Sequence, residues 1–456
     1  MTDARPALIL LAALALAGCG AKGLTAQQTC QTGVYRLADG RVLDIAPSEG
    51  PDLRWRLNDG RSGRLSAKDH WSSTLGWTGK PDGVTVALGA CGARTAAFAD
   101  KGAAPVSGER LTFVSRDMTF VSGGLTLHGR LVMPPGDGPA PVAVEVHGSE
   151  KDAATVFNPE QRMMPAQGVG VFVYDKRGTG QSQGKYTQDF TVLAADAAAA
   201  ARAARAAAGV RLGRLGFEGG SQEGWVSPLA ATLTPVDFVI VGYGLAGSPA
   251  EENTDQTVVE LARKGYGPAD LKAAAEVSDA VNAVAASRFQ IGYARLDALR
   301  AKYGDKPWFK QIHGQYNDQI LKYPSWLIKL AAPLFDVGTP FNYDAVPVLR
   351  RVPVPMLWIL ADEDTQAPNQ TTRARLRGLI DEGRPITVMA FPATDHGITE
   401  YVTAPDGTRL RTRYADGYRR AVLDWVKTGK LTPPYGKGVV IATPKAPPAT
   451  VAALSR

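Results

Sequence analysis

The chain has 456 residues, 45% hydrophobic and 21% charged, the composition of a folded globular protein and not of a disordered or fibrous one. That length exceeds one small domain and leaves room for a large domain with additions. The 51 Lys and Arg against 44 Asp and Glu give a formal charge of +7. Acidic residues are interspersed among the basic ones, so the excess reads as solubility chemistry and nucleic-acid binding is set aside.

The first residues, MTDARPALILLAALALAGCG, pass from a short polar start with Arg5 through an apolar run, Ala7 to Ala17, to small residues before Cys19. A bilayer span needs about 20 apolar residues. This run is shorter and has the form of an export signal. Leu16 to Cys19, LAGC, resembles the bacterial lipobox. The resemblance implies a signal peptide over residues 1–18 and a lipidated Cys19 that anchors the mature protein to a membrane on the periplasmic side of the cell envelope. A plain cleavable signal is the alternative. Gly20 in place of an acidic residue resembles lipoproteins passed to the outer membrane.

Setting Cys19 aside leaves Cys30 and Cys91, an even pair that suggests one disulfide in an oxidising compartment. Two reduced, buried thiols are the alternative. The five histidines, His70, His128, His147, His313 and His396, are scattered without ligand spacing, so no metal is expected. Residues 19–107 alternate apolar and polar positions around Asp39-Gly40 and Asp59-Gly60, which are hairpin turn signals, and predict a small β-rich N-terminal domain.

From residue 108 the pattern changes. Near-continuous apolar runs at 141–148, 169–175, 214–219, 237–244, 355–362 and 386–391 suit strands buried on both faces of a parallel sheet. Helical stretches alternate with them, among them the alanine-rich LAADAAAAARAARAAAG. The expected class is α/β, a doubly wound, mostly parallel sheet over residues 108–430. A helical insertion at about 245–345, rich in Tyr and Trp, interrupts the alternation and would lie over the carboxyl end of the sheet. Residues 431–456, rich in Pro and Ala, read as a loosely held tail.

Three strand ends carry chemistry. GGSQEG places Ser221 between a predicted strand and a predicted helix, where a nucleophile elbow needs small neighbours. Gly219 and Gly220 supply them on one side; Glu223 does not on the other, and Gly224 follows one residue late. DEDTQAP places Asp364 after the next strand but one, with Asp362, Glu363 and Asp395 as rivals, Asp362 the better and Asp395 the poorer for its awkward position next to His396. PATDHGI places His396 after the following strand. A serine nucleophile, a histidine base and an acid that orients it make a triad, and their chain order is the α/β-hydrolase order.

Residues 110–428 resemble an α/β hydrolase of the branch related to dienelactone hydrolase and prolyl-oligopeptidase-type enzymes. The resemblance rests on LHGRLVMPPG with PVAVEVHGSE, YDKRGTGQSQG, GGSQEGW, LADEDTQAP and ATDHGI. Relatives usually have glycine or alanine where Glu223 stands. The resemblance implies an oxyanion hole from the backbone amides of Ser149 and Gln222, and no organic cofactor. It assigns Asp175 and Arg177 to a structural loop. The expected reaction is hydrolysis of a carboxylic ester in a small acyl substrate, through an acyl-enzyme on Ser221. A serine peptidase or aminopeptidase of the prolyl-oligopeptidase type is the alternative, and a non-catalytic binding lipoprotein on the same fold is the reading from another class.

Two further signals yield to simpler ones. GYGLAG, Gly242 to Gly247, matches a dinucleotide fingerprint, but Ser248, Pro249 and Glu251 make a helix start with a capping box there. The Glu251-Glu252 pair would suit a substrate amine, although capping already accounts for Glu251. The aromatic residues Tyr303, Trp308, Tyr316, Tyr323 and Trp326 could line a pocket or fill the core of the insertion.

Overall fold

The computed structural model describes residues 25–48, 52–67, 71–314 and 316–444. The expected signal peptide and Cys19 lie outside these residues, as do His70 and residues 445–456.

The alternating N-terminal segments form β1 (Gly33–Leu37), β2 (Val42–Pro47), β3 (Leu53–Leu57), β4 (Ser62–Ala67), β5 (Trp71–Leu75), β6 (Pro81–Leu88), β7 (Thr95–Ala99) and β8 (Val106–Arg110). Each pairs antiparallel with the next, and β8 returns to β1, so the sheet closes into a barrel without a free edge. Inward positions are large and apolar: Tyr35, Leu43, Leu53, Trp55, Leu65 and Phe98 pack together, with Trp55 edge-on to Phe98 at 5.1 Å. The expected boundary at 107 falls inside β8, because that strand continues to Arg110 to close the barrel. Cys30, on the short helix Ala26–Gln31, is disulfide-bonded to Cys91, with Cα atoms 5.5 Å apart.

The second sheet holds β9 (Val114–Ser122), β10 (Leu125–Met133), β11 (Ala140–Val146), β12 (Gly170–Tyr174), β13 (Leu212–Gly220), β14 (Phe238–Gly242), β15 (Met356–Ala361) and β16 (Ile386–Phe391). Its order is β16-β15-β14-β13-β11-β12-β10-β9; the six strands from β11 to β16 run parallel, while β9 and β10 are antiparallel. The strands β12, β14, β15 and β16 are buried at every position, which explains their unbroken apolar sequence. Helices Phe190–Ala208, Glu223–Ala231, Val346–Arg351 and Gln370–Asp381 cover one face. Helix Tyr418–Thr428 covers the other with Met164. This is the α/β-hydrolase fold.

Between β14 and β15 the chain makes the helices Pro249–Arg263, Pro268–Ala286 and Tyr293–Tyr303, followed by shorter turns of helix. Trp308 and Tyr316 belong to the small cores of this insertion, whereas Trp326 is exposed.

The C-terminal expectation fails for residues 435–442. Tyr435 is fully buried and its hydroxyl donates to Asp424 Oδ2 at 2.6 Å, and β-branched Val439 to Ala442 pairs as a strand on the open edge of β16. That strand is β19, after the hairpin β17 (Thr399–Thr403) and β18 (Arg409–Tyr414).

The barrel is docked to the hydrolase unit by buried polar contacts. Asp44 on β2 is completely buried and accepts from Arg162 Nε at 2.6 Å and from Arg56 Nη1 at 3.1 Å. Trp77 N–H donates to the carbonyl of Arg411 at 2.9 Å, and Tyr414 N–H to that of Gly60 at 3.0 Å. The barrel therefore leans on the hairpin that follows His396. Asp44→Ala strands the Arg162 guanidinium and is expected to cost about 3 kcal/mol of stability, read as a lower denaturation midpoint. An unchanged midpoint would show that the pair holds nothing together.

Candidate active site

Strand β13 ends at Gly220, and the chain turns at Ser221 with φ +59° before entering helix Glu223–Ala231. A non-glycine residue in this left-handed region stores strain. The turn is held by Ser221 N–H donating to the Gly242 carbonyl at 2.9 Å and Gly224 N–H donating to the Ser221 carbonyl at 2.9 Å. A Cβ at Gly219 would collide with the Val146 carbonyl, and one at Gly224 would stand 2.8 Å from the Leu245 nitrogen. Gly224 is thus where helix and neighbouring loop approach closely.

Glu223 does not obstruct the turn because its side chain is folded inward and fully buried. Neither carboxyl oxygen has a close hydrogen-bond partner among the described residues. Burial pushes this carboxyl well above the usual range, with the nearby Ser227 hydroxyl opposing it only in part. The motif's extra bulk is absorbed by the interior and not by the elbow.

His396 stands in the loop after β16, with Nε2 at 3.2 Å from Ser221 Oγ and Nδ1 at 2.9 Å from Asp364 Oδ2. With Nδ1–H donating to the carboxylate, Nε2 is left to accept from the serine hydroxyl. Asp364 is itself fixed: its Oδ1 accepts from the amides of Gln366 at 3.0 Å and Ala367 at 2.7 Å. The rivals are occupied elsewhere. Asp362 pairs with Arg373, while Asp395 accepts from Thr365 N–H at 3.0 Å and faces Arg409 at 3.2 Å. Burial pulls the His396 imidazole down, but the charge and hydrogen bond of Asp364 outweigh it and raise it above its ordinary value.

The loop after β11 lies alongside: a Cβ on Gly148 would be 3.4 Å from Ser221 Cβ. The amides of Ser149 and Gln222 donate to no protein acceptor among the described residues. The carbonyls flanking the Ser149 amide are clamped, Gly148 by the Lys176 ammonium and Ser149 by the Tyr186 hydroxyl. Burial lowers Lys176 to about 8. Both residues come from the DKRGTGQSQGKY segment, whose motif was visible although its clamping role was not. Within it Asp175 accepts from Thr155 N–H at 3.0 Å and Arg177 pairs with Asp196 at 2.6 Å, so both tie the loop to its surroundings. His147 faces Glu150 at 3.1 Å.

A cavity of about 510 Å³ opens at Ser221 and His396. Trp77 of the barrel and Tyr414 of the hairpin edge it, and Phe157, Met164 and Leu423 lie farther along. None of the insertion's aromatic residues lines it. Glu251 is spent on the capping box with Ser248, its amide donating to Ser248 Oγ at 3.2 Å, and on Arg375 at 2.7 Å. Glu252, pushed up to about 7 by burial, acts on His396 only through its charge. Among the described residues no group of three or more His, Cys, Asp or Glu could hold a metal ion.

The imidazole of His396 is expected to titrate above about 6.5 and to fall in Asp364→Asn, read by NMR of the ring protons. Equal midpoints in the two proteins would break the assigned pairing. Glu223 predicts a pH effect on stability. A carboxyl raised in the folded state holds its proton where the unfolded chain has released it, so the stability it gives at low pH is lost as pH rises above about 4.5. The melting temperature of the natural chain should therefore fall relative to Glu223→Gln as pH rises from about 5 through the neutral range. A constant difference across that range would contradict a buried neutral acid.

Residues 123–338 match the family described as X-Pro dipeptidyl-peptidase (S15 family), a stretch that contains Ser221 but ends before Asp364 and His396. No curated protein matches this sequence significantly. Among solved structures, a puromycin-hydrolysing peptidase of Mycobacterium tuberculosis is similar at 17% identity and a TM-score of 0.39, over 80% of this chain and 50% of that one. An acylaminoacyl peptidase of Pyrococcus horikoshii is similar at 16% identity and a TM-score of 0.39, over 81% and 52%. An esterase of Pyrococcus furiosus follows at 13% identity and a TM-score of 0.39, over 62% and 83%. The chain thus spans about half the length of the two peptidases.

Proposed function

We propose that the protein is a serine hydrolase that cleaves carboxylic esters through an acyl-enzyme. The observation that carries this reading is the hydrogen-bonded line from Asp364 through His396 to Ser221 Oγ at a strained turn. His396 takes the hydroxyl proton as Oγ attacks the acyl carbon. The oxyanion forms against the amides of Ser149 and Gln222, the bond to the alkoxide leaving group breaks, and His396 returns the proton to that oxygen. Water, deprotonated by the same imidazole, then releases the acid. Asp364 stays ionised and holds the imidazolium that forms in each half-reaction. Losing one oxyanion donor costs about 10² to 10³ in rate, so the grip of Lys176 and Tyr186 on the neighbouring carbonyls positions a large share of the catalysis.

A peptidase is the second reading, favoured by the match to the X-Pro dipeptidyl-peptidase family. The triad serves either bond, and the pocket decides. The Leu16–Cys19 tetrapeptide supports export and a lipid anchor at Cys19 on the periplasmic side, outer membrane included, and the Cys30–Cys91 disulfide suits such an oxidising compartment.

Labelling of the folded protein by a fluorophosphonate is expected for the natural chain and absent in Ser221→Ala and His396→Ala. A p-nitrophenyl ester should be turned over faster, by kcat/KM, than an X-Pro anilide, and Ser221→Ala should lower kcat by at least about 10⁴. A folded chain that resists the probe would remove the hydrolase reading and leave a binding protein. Preference for the anilide would favour the peptidase.

A further inference from the structure

The helical insertion stands apart from the cavity, since no described residue from 245 to 345 lines it. Its last segment nevertheless reaches the loop that carries the Ser149 amide, through a line of buried polar groups. The Tyr186 hydroxyl donates to the Ser149 carbonyl and accepts from Gln188 Nε2 at 3.0 Å. Gln188 Oε1 in turn accepts from Thr339 Oγ1 at 2.8 Å, with the Tyr316 hydroxyl at 3.4 Å. Gln188 and Thr339 are only 7% and 8% exposed.

The direction of each bond in this line follows from the groups themselves. A phenol has one proton, and here it goes to the carbonyl, so on its other side the phenol oxygen needs a donor. Burial raises the Tyr186 phenol, with the Gln188 hydrogen bond opposing and the charge of Glu150 adding, so the proton stays on the ring. A glutamine amide offers NH₂ to the phenol and C=O to a hydroxyl together, which neither a leucine nor a glutamate does. Both ends of the bridge are anchored. The Gln188 N–H and the Thr187 hydroxyl donate to the Val337 carbonyl at 2.7 and 2.8 Å, and Asp189 caps helix Phe190–Ala208. Across the bridge, the Tyr316 ring packs edge-on against Phe341 at 4.6 Å in a core of the insertion.

We propose that Gln188 is a positioning residue for the oxyanion hole, and that through it the helical insertion sets where the Ser149 amide stands. The inference rests on the serine-hydrolase reading, because that amide matters to chemistry only when an oxyanion forms. Lys176 holds the peptide plane that contains the Ser149 amide, and Tyr186 holds the next one. With the second released, Ser149 is free to tilt about the first, and hydrogen bonds weaken steeply with angle.

The test compares Thr339→Val, similar in shape but without the hydroxyl, with Thr339→Ser, which keeps it, on a p-nitrophenyl ester. Thr339→Val should lower kcat by about five- to tenfold with KM within about twofold, and Thr339→Ser should restore kcat. Gln188→Leu should lose more, about 10- to 10²-fold in kcat. Because Thr339 acts through Tyr186, adding Thr339→Val to Tyr186→Phe should cost nothing further. Hydrogen exchange over residues 147–151, read by mass spectrometry, should quicken in Thr339→Val and not in Thr339→Ser, a readout that needs no turnover. Equal kcat in the valine and serine variants, a loss that adds in full to that of Tyr186→Phe, or unchanged exchange overturns the positioning role. If Gln188→Leu does not fold, the Thr339 pair and the Tyr186 combination still decide. A natural chain that takes no fluorophosphonate would remove the hydrolase reading and the positioning role with it; a labelled, active chain indifferent to Thr339→Val would remove the positioning role alone.

Discussion

The close approach of three strands around Ser221 is the constraint on which the rest depends. Val146 of β11 leaves no room for a side chain at Gly219, and Gly242 of β14 takes the Ser221 amide. Between them the chain can leave β13 only by turning sharply, and that turn forces a positive φ on a serine. The strain is tolerable because packing on both sides over-determines it. Its consequence is chemical: the hydroxyl is lifted off the sheet edge toward the loop that carries His396. A looser turn would leave the same residues present and the hydrogen bond unmade.

The site also depends on where burial is resisted. Asp364 lies buried beneath His396 with two amides and the imidazole meeting its oxygens, and low surrounding polarity strengthens those hydrogen bonds. Glu223, also buried, has no such set of amide and imidazole donors, and burial raises it well above the usual carboxyl range. Glu145 and Glu218, side by side on β11 and β13 with a cavity in front, are both raised by burial.

Much of this was legible in the sequence for a definite reason. Strands buried on both faces have to be apolar throughout, so β11 to β16 announced themselves, and the fold then placed Ser221, Asp364 and His396 at neighbouring strand ends. Closure of the barrel was not legible, because pairing of β8 with β1 is a long-range event that alternation in either strand does not encode. The same limit hid β19: Val439 to Ala442 reads as a short apolar patch in a Pro-rich tail until the open edge of β16 is present to receive it. Local turn chemistry did carry through, as the capping box at Ser248 and Glu251 does. The carboxylates inside β11 and β13 were visible as letters, but only the parallel register sets them side by side.

The barrel explains how a separate domain reaches a site it does not build. Its contacts fall on the hairpin after His396, through Trp77 to Arg411 and Gly60 to Tyr414, and on Arg162 through Asp44. The first two hold the segment that follows the histidine loop, and Trp77 and Tyr414 meet edge-on at 6.3 Å at the cavity mouth. The third holds the turn of helix that ends at Met164, another residue lining the same cavity. The barrel's contacts therefore reach residues at two places in the pocket lining, whereas the aromatic residues of the helical insertion do not line it.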